Sequence, residues 1–217
     1  EYFAVTQWDR DVPGGTAAAR GADLEYLTRT IPEFHENGAR FFSAESSDNW
    51  GLSGLGYYLA SRMLWDVREA TPGRVRELRQ DFLDRAFGPA RGPMDRFYQL
   101  IDGAQRPLLS EDLLGRMYQA LNEARQLTVD RRDVQTRLDD LVLYTRYAEL
   151  YNAYAGAVGA AQAACKEQVL VHAYRMRKTS MVHVLGLWSR LVSNKSAHDA
   201  KHPLKQNDAS FTDEEIR

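Results

Sequence analysis

Helical periodicity from Thr71 onward is the feature of this sequence that most limits its fold. Apolar residues recur at intervals of three and four, and several breaks in the pattern carry Gly or Pro. No strand pattern follows Asp66. We therefore predict an all-helical region over residues 67–217, with helices over these ranges: Thr71–Phe87, Gly92–Asp102, Ser110–Leu127, Arg131–Ala155, Gln162–Arg177 and Thr179–Val192.

Residues 1–66 follow a different pattern. Tyr2–Trp8 and Ala39–Glu45 are short apolar runs typical of strands, and each precedes a helical pattern, over Ala22–Asn37 and Trp50–Trp65. Two strands joined by a helix form a right-handed unit with parallel strands. We therefore expect a mainly α chain in which residues 1–66 are the last βα units of a (β/α) barrel and residues 67–217 form a helical carboxy-terminal domain.

Two strands alone would leave the edges of their sheet unpaired, so the predicted unit requires further strands. The chain opens directly on the apolar run that begins at Tyr2. We therefore expect the remaining strands to come from an upstream barrel segment of the same protein.

The composition of the chain limits the classes of ligand that we expect it to bind. The net charge is -2 and the sequence pI is about 6.3, so the chain lacks the basic surface that nucleic acids require. No apolar run approaches the roughly 18 residues of a bilayer span. One cysteine and five histidines show no metal-ligand spacing, and no cofactor motif occurs. We expect no nucleic acid, no membrane span, no metal and no cofactor.

Polar and aromatic side chains follow both predicted strands, where parallel α/β proteins place their functional groups. Carboxylates and amides bind sugar hydroxyl groups, and aromatic rings pack on the apolar face of a sugar. We therefore expect Glu45 and Asp9 to form a catalytic pair. The expected glycan-binding residues are Gln7, Trp8, Asn49 and Trp50.

Glycoside hydrolysis uses two carboxyl groups, roughly 5 to 5.5 Å apart for retention and about 6.5 to 9.5 Å apart for inversion. Because neighbouring strands lie about 4.8 Å apart, Glu45 and Asp9 at adjacent strand ends fit either geometry. The second carboxyl group could equally belong to an upstream strand.

Each of these residue types also fits a purely structural role. A Glu after a strand also serves as a helix-cap partner or in a salt bridge, and Trp8 and Trp50 also fit core or rim packing. The tyrosine stripe Tyr144, Tyr147, Tyr151 and Tyr154 fits helix packing better than ligand stacking. Two alternatives to an enzyme therefore stay open: a non-catalytic helical scaffold or a segment that binds glycan or protein, and a free-standing helical interaction module.

Several stretches together resemble a bacterial glycoside-hydrolase-like family catalogued as domain of unknown function 4838, which is similar in layout to α-glucuronidases. The residues that carry the resemblance are Asn37–Glu45, Trp50, Tyr57–Asp66, Asp81–Leu83, Phe87–Ala90, Phe97–Tyr98 and Phe211–Ile216. The resemblance implies an incomplete barrel with a helical extension, action on or binding of complex glycans, and export to the periplasm or beyond. It places the strand-end acid of the family at Glu45, which is followed here by two Ser residues instead of Gly.

Overall fold

The computed structural model describes residues 21–43, 48–105, 107–191 and 210–217. These residues form helices joined by short turns. The helices span α1 Leu24–Glu36, α2 Trp50–Trp65, α3 Pro72–Phe87, α4 Arg91–Leu100, α5 Glu111–Leu127, α6 Arg132–Gly156, α7 Gly159–Arg175, α8 Val184–Leu191 and α9 Asp213–Ile216. The helices predicted from periodicity are confirmed, with small shifts at the ends of α1 to α7 and a later start for α8.

Side-chain caps fix where several helices begin. Asp23, Thr71 and Ser110 precede α1, α3 and α5, and each side-chain oxygen accepts a hydrogen bond from a backbone N–H in the first turn. Thr212 and Glu215 form a complete capping box at α9. These contacts satisfy backbone donors that have no partner within the helix.

The predicted end of a (β/α) barrel is wrong for the part of the chain that the structure describes, which contains helices and no strands. Tyr2–Trp8 lies outside the described residues. Residues 39–43, the described part of the second predicted strand, have no regular secondary structure, and Phe41 is 97% exposed. A short apolar run becomes a strand only when a neighbouring strand completes its backbone hydrogen bonds, and the described residues offer none.

The core lies between successive helices packed side by side. α4 packs on α5, α5 on α6 and α6 on α7, while α2 contacts both α3 and α6. The largest fully buried side chains include Phe97, Met117, Leu121, Leu138 and Tyr144. Each contributes roughly 1.5 to 3 kcal/mol of burial free energy. The core draws on residues from both sides of residue 66, and the proposed division into 1–66 and 67–217 stays a prediction.

The tyrosine stripe of α6 packs as the sequence predicts. Tyr144 and Tyr147 are buried, Tyr151 and Tyr154 are half-buried, and neighbouring ring centroids lie 5.5 to 6.4 Å apart.

A separate prediction concerns the bilayer: none of the helices described here combines the length and the apolar character that crossing a membrane requires.

The predicted helix over Thr179–Val192 begins later than expected. Ser180 adopts a left-handed backbone conformation with φ of 57°, and α8 starts at Val184. A residue with positive φ cannot continue a right-handed helix. The interruption leaves a loop at Ser180–His183, and the carbonyl groups of this loop contact the start of α2.

Candidate functional site

The predicted site residues fall into two groups. Gln7, Trp8, Asp9 and Glu45 lie outside the described residues. Asn49 and Trp50 are described, and they form the last residue before α2 and its first residue. The structure therefore shows the neighbourhood of the predicted glycan-binding residues Asn49 and Trp50, and the catalytic assignments to Glu45 and Asp9 stay predictions.

A buried hydrogen-bond network surrounds Asn49. Its side chain is 3% exposed, and its Oδ1 accepts a hydrogen bond of 2.5 Å from the hydroxyl group of Tyr57. Its Nδ2 lies 3.5 Å from Oγ of Ser53, which is also buried. Buried amide and hydroxyl groups are costly unless hydrogen-bonded, so this network holds the start of α2 in place. The buried side chain of Asn49 therefore supports the position of Trp50 from inside the protein.

Trp50 lies above this network and faces outward. Its indole is 45% exposed, and the ring of Tyr57 contacts it edge-on at 5.2 Å between centroids. Gly54 also lies beside the indole, and an added Cβ there would lie 3.2 Å from Cε3 of Trp50. Because Gly54 has no side chain, the indole has room beside this turn of the helix. The arrangement leaves part of the ring open and holds the rest firmly.

The backbone around Trp50 is anchored to a distant part of the chain. The N–H of Trp50 donates to the carbonyl of Ser180 at 3.0 Å, and the N–H of Gly51 donates to the carbonyl of Met181 at 3.3 Å. Gly51 also lies against the buried ring of Tyr144. The first two donors of α2 are therefore engaged by the loop before α8, and this end of the helix offers them to no anion.

A second aromatic surface lies at the opposite end of α2. We name Phe34, Phe41, Phe42 and Trp65 the aromatic patch. Phe41 and Trp65 are 97% and 92% exposed, and the rings of Phe34 and Phe42 lie 5.8 Å apart. These residues border a cavity of about 340 Å³. Since α2 rises about 1.5 Å per residue, the patch lies about 22 Å from Trp50.

The carboxy-terminal residues close a groove between α6 and α7. The ring of Phe211 lies 3.9 Å from Cζ of Arg175 and 5.1 Å from the ring of His172. Nη2 of Arg175 donates to Oε2 of Glu215 at 2.8 Å and to the carbonyl of Ser210 at 3.1 Å. Hydrogen bonding to Arg175 lowers the pKa of Glu215 to about 2. The contacts fasten residues 210–217 onto the helical body.

His172 forms the floor of this groove. Its Nε2 lies 2.9 Å from the carbonyl oxygen of Leu143, so that nitrogen carries the proton in the neutral ring. Burial lowers the pKa of His172, because a charged imidazolium would lose its hydration there. The ring is therefore a neutral packing partner for Phe211 near pH 7.

Carboxyl groups with unusual environments lie elsewhere. Burial, together with the neighbouring Asp139, raises the pKa of Asp140 to about 6, and burial also raises the pKa of Asp102. Asp140 lies on α6, four residues before Tyr144. Within the described ranges, no three His, Cys, Asp or Glu side chains are grouped to hold a metal ion.

Comparison with protein-family models, with curated proteins and with solved structures found no match to this chain. The family resemblance carried by the sequence therefore stays a prediction.

Sequence reasoning missed three contributors to this region. In the sequence, Tyr57 was noted only within the stretch that resembles the family. Its hydrogen bond to Asn49 joins residues eight positions apart. Ser180 and Met181 contact the site from more than 120 residues away in sequence. The spacing of Trp50, Gly54 and Tyr57 is the one local signal, since residues at intervals of three and four share a helix face.

Proposed function

We propose that this chain is part of a carbohydrate-active protein, that Trp50 is a stacking platform for a glycan, and that Glu45 supplies acid or base chemistry for hydrolysis of a glycosidic bond. The observation that carries the proposal is the half-exposed indole of Trp50, held edge-on by Tyr57 above a buried hydrogen-bond network. A ring held in place before the ligand arrives loses little conformational entropy on binding.

The polar residues beside Trp50 support the same substrate class. Asp48 is exposed two residues before the indole, and Glu45 precedes it by three more. Carboxylates accept hydrogen bonds from sugar hydroxyl groups, while an aromatic ring covers the C–H face of the sugar. Few other ligand classes combine an apolar face with many hydroxyl donors.

Trp50→Ala tests the binding role, and Trp65→Ala at the other end of α2 is the matched control. Calorimetric titration with a panel of neutral and uronic-acid-containing oligosaccharides is the measurement. We expect Trp50→Ala to weaken binding about tenfold, because truncating an anchoring aromatic residue typically costs more than about 1 kcal/mol. Equal losses in both variants, or none in Trp50→Ala, would refute the platform.

Glu45→Gln tests the chemical role, and Asp48→Asn nearby is its control. The measurement is release of reducing sugar from the oligosaccharides that bind. Removing one of two required carboxyl groups should abolish turnover, whereas the control should retain it. A Glu45→Gln variant that turns over like wild type would contradict the catalytic role.

A non-catalytic glycan-binding scaffold is the second candidate. One observation favours it: the described residues around Trp50 provide an aromatic platform and a supporting network, while Asp140, a described carboxyl group whose pKa burial raises, lies on α6. This candidate predicts that the wild-type chain binds oligosaccharides through Trp50 and releases no reducing sugar over long incubation.

A further inference from the structure

Residues 210–217 lie on the groove between α6 and α7 without becoming buried, and we name them the docked segment. Phe211 and Ile216 are half-buried, and the other six residues are exposed. Segments that bury little apolar surface open locally at a low cost in free energy. The docked segment can therefore leave the groove while the helices beneath it stay folded.

Two side chains of the docked segment contact Arg175. The guanidinium carbon of Arg175 lies 3.9 Å from the ring centroid of Phe211, and Nη2 donates to both carboxylate oxygens of Glu215, at 3.0 and 2.8 Å. A capping box between Thr212 and Glu215 fixes the turn that carries both side chains. An aromatic residue followed four positions later by a carboxylate is therefore the chemistry that this groove accepts.

The docked segment does not fill the groove. A cavity of about 710 Å³ is bordered by α6, α7 and the segment, and ligand pockets typically measure about 300 to 1,000 Å³. Among its lining residues, Val142, Leu150 and Val171 are apolar, while Arg146 and Glu167 are charged. The groove therefore has room for a segment with a larger apolar side than residues 210–217 present.

Arg175 also has a donor that the docked segment does not use. Its Nε is buried and has no hydrogen-bond partner among the residues that the structure describes. Both hydrogen bonds to the carboxylate of Glu215 come from Nη2, whereas Arg binds a carboxylate most strongly through two parallel hydrogen bonds from two nitrogens. Leaving a buried donor without an acceptor is costly. A carboxylate that accepts from both Nε and Nη2 would therefore bind Arg175 more tightly than Glu215 does.

We propose that the α6–α7 groove recognises a segment of a partner protein in which an aromatic residue is followed four positions later by Asp or Glu, and that residues 210–217 are its internal competitor. The aromatic ring of the partner replaces Phe211 on Arg175, and its carboxylate replaces Glu215. Short segments bound in grooves and acidic motifs bound by Arg both recur in peptide recognition.

A second copy of the chain, docking its own residues 210–217, is the rival occupant. It would bring the same contact through Nη2 and would gain nothing over the segment already in place. Analytical ultracentrifugation of the full chain tests this rival. A dimer that grows with protein concentration and disappears in Phe211→Ala with Glu215→Gln would overturn the proposal in favour of a second copy.

Selection from a phage-displayed library of random dodecapeptides on the full wild-type chain tests the recognition itself. We expect enriched peptides to share an aromatic residue four positions before an acidic one. A synthetic peptide with the enriched sequence should shift the methyl resonances of Leu150 and Val171 in NMR spectra of the full chain. No enrichment, enrichment without this spacing, or binding that leaves both resonances unchanged would overturn the proposal.

Phe211→Ala with Glu215→Gln tests the internal competition. The selected peptide should bind this double variant about tenfold more tightly than the wild type, because apparent affinity scales with the fraction of molecules whose groove is open. A gain in affinity cannot come from unfolding. Glu214→Gln removes the neighbouring exposed carboxylate and should leave the affinity unchanged. Equal affinities in the wild type and the double variant would overturn the competition.

Arg175→Gln, added to the double variant, tests the residue that reads the peptide. Binding of the selected peptide should weaken about tenfold or more, since a charge-assisted hydrogen bond to the carboxylate is lost. Arg177→Gln in the same background is the matched control and should bind as the double variant does. Undiminished binding after Arg175→Gln would overturn the proposal.

Discussion

The hydroxyl group of Tyr57 lies 2.5 Å from Oδ1 of Asn49 and donates a hydrogen bond to it inside the protein, directly beneath the exposed ring of Trp50. Tyr57→Phe removes that donor while keeping the aromatic ring. We expect the free energy of unfolding to fall by about 1 to 3 kcal/mol, since a buried acceptor loses a partner. Urea denaturation followed by circular dichroism measures the loss.

The same position separates stability from function. Because Phe keeps the edge-on contact with Trp50, Tyr57→Phe should retain oligosaccharide affinity, whereas Tyr57→Ala should lose both stability and affinity. Tyr58→Phe is the matched control, because the hydroxyl group of Tyr58 donates to Asp81 in a half-buried position away from Asn49. A loss in Tyr58→Phe as large as that in Tyr57→Phe would contradict the role assigned to the buried network.

Gly51 explains why the start of α2 packs tightly on α6. A Cβ added to Gly51 would lie 2.4 Å from Cδ2 of Tyr144, whose ring is buried in the core. Gly51→Ala should therefore destabilise the protein by about 1 to 3 kcal/mol.

Gly115→Ala is the control for Gly51→Ala. Gly115 lies inside α5, and an added Cβ there meets nothing within 4 Å. Because Ala favours helix more than Gly does, Gly115→Ala should stabilise by about 0.5 to 1 kcal/mol. Thermal unfolding of both variants should thus give shifts of opposite sign, and a neutral Gly51→Ala would show that the contact with Tyr144 relaxes freely.

Helices were predictable here because their signals are local. Thr71, Ser110 and Thr212 mark helix starts by bonding to backbone groups a few residues away, and the apolar spacing within one segment defines its buried face. The predicted strand Ala39–Glu45 is wrong over its described residues, 39–43, for the opposite reason. A strand depends on a neighbour supplied by other parts of a protein, and residue content alone does not provide one.

The site was predictable only in part, for the same physical reason. Trp50 stood out as an aromatic residue among the polar residues that follow a predicted strand, and its exposure agrees with a surface role. The inward direction of Asn49 depends on Tyr57, and the anchoring of α2 depends on Ser180 and Met181. Such contacts form only when distant segments pack, so no spacing rule reveals them.

Asp140 should make stability depend on pH. Its folded-state pKa of about 6 exceeds the ordinary value of 3.8, so the folded protein holds a proton that the unfolded chain has already lost between pH 4 and pH 6. Stability therefore falls as pH rises through that window. The full effect would be about 3 kcal/mol, and partial exposure of the carboxyl group reduces it.

Asp140→Asn should remove this penalty. We expect a gain of about 1 to 2 kcal/mol at pH 7.5 and no gain at pH 4, measured by urea denaturation across the range. Asp133→Asn is the control, because hydrogen bonds from Arg131 and Arg137 lower the pKa of exposed Asp133 to about 2. The slope between pH 4 and pH 6 should persist in Asp133→Asn, and a slope in Asp140→Asn as steep as that of the wild type would refute the assignment.

Arg175 should hold the carboxy-terminal residues on the α6–α7 groove. Its guanidinium group covers the ring of Phe211 and bonds to Glu215, so Arg175→Gln removes a cation–π contact and a charge-assisted bond together. Losing about 1.4 kcal/mol at this contact would make opening of residues 210–217 about tenfold more frequent. Hydrogen exchange of that peptide, read by mass spectrometry, should accelerate accordingly.

Arg177→Gln is the matched control for Arg175→Gln. The guanidinium group of Arg177 also stacks on an aromatic ring, that of Tyr174 at 4.1 Å, and Tyr174 lies outside residues 210–217. Arg177→Gln should leave exchange in residues 210–217 unchanged. Phe211→Ala should reproduce the effect of Arg175→Gln, and the double variant should add little, because both changes break one shared contact. Fully additive effects would mean that Arg175 acts through its hydrogen bonds to Glu215 and Ser210, and that the ring of Phe211 fastens the segment through its packing against His172.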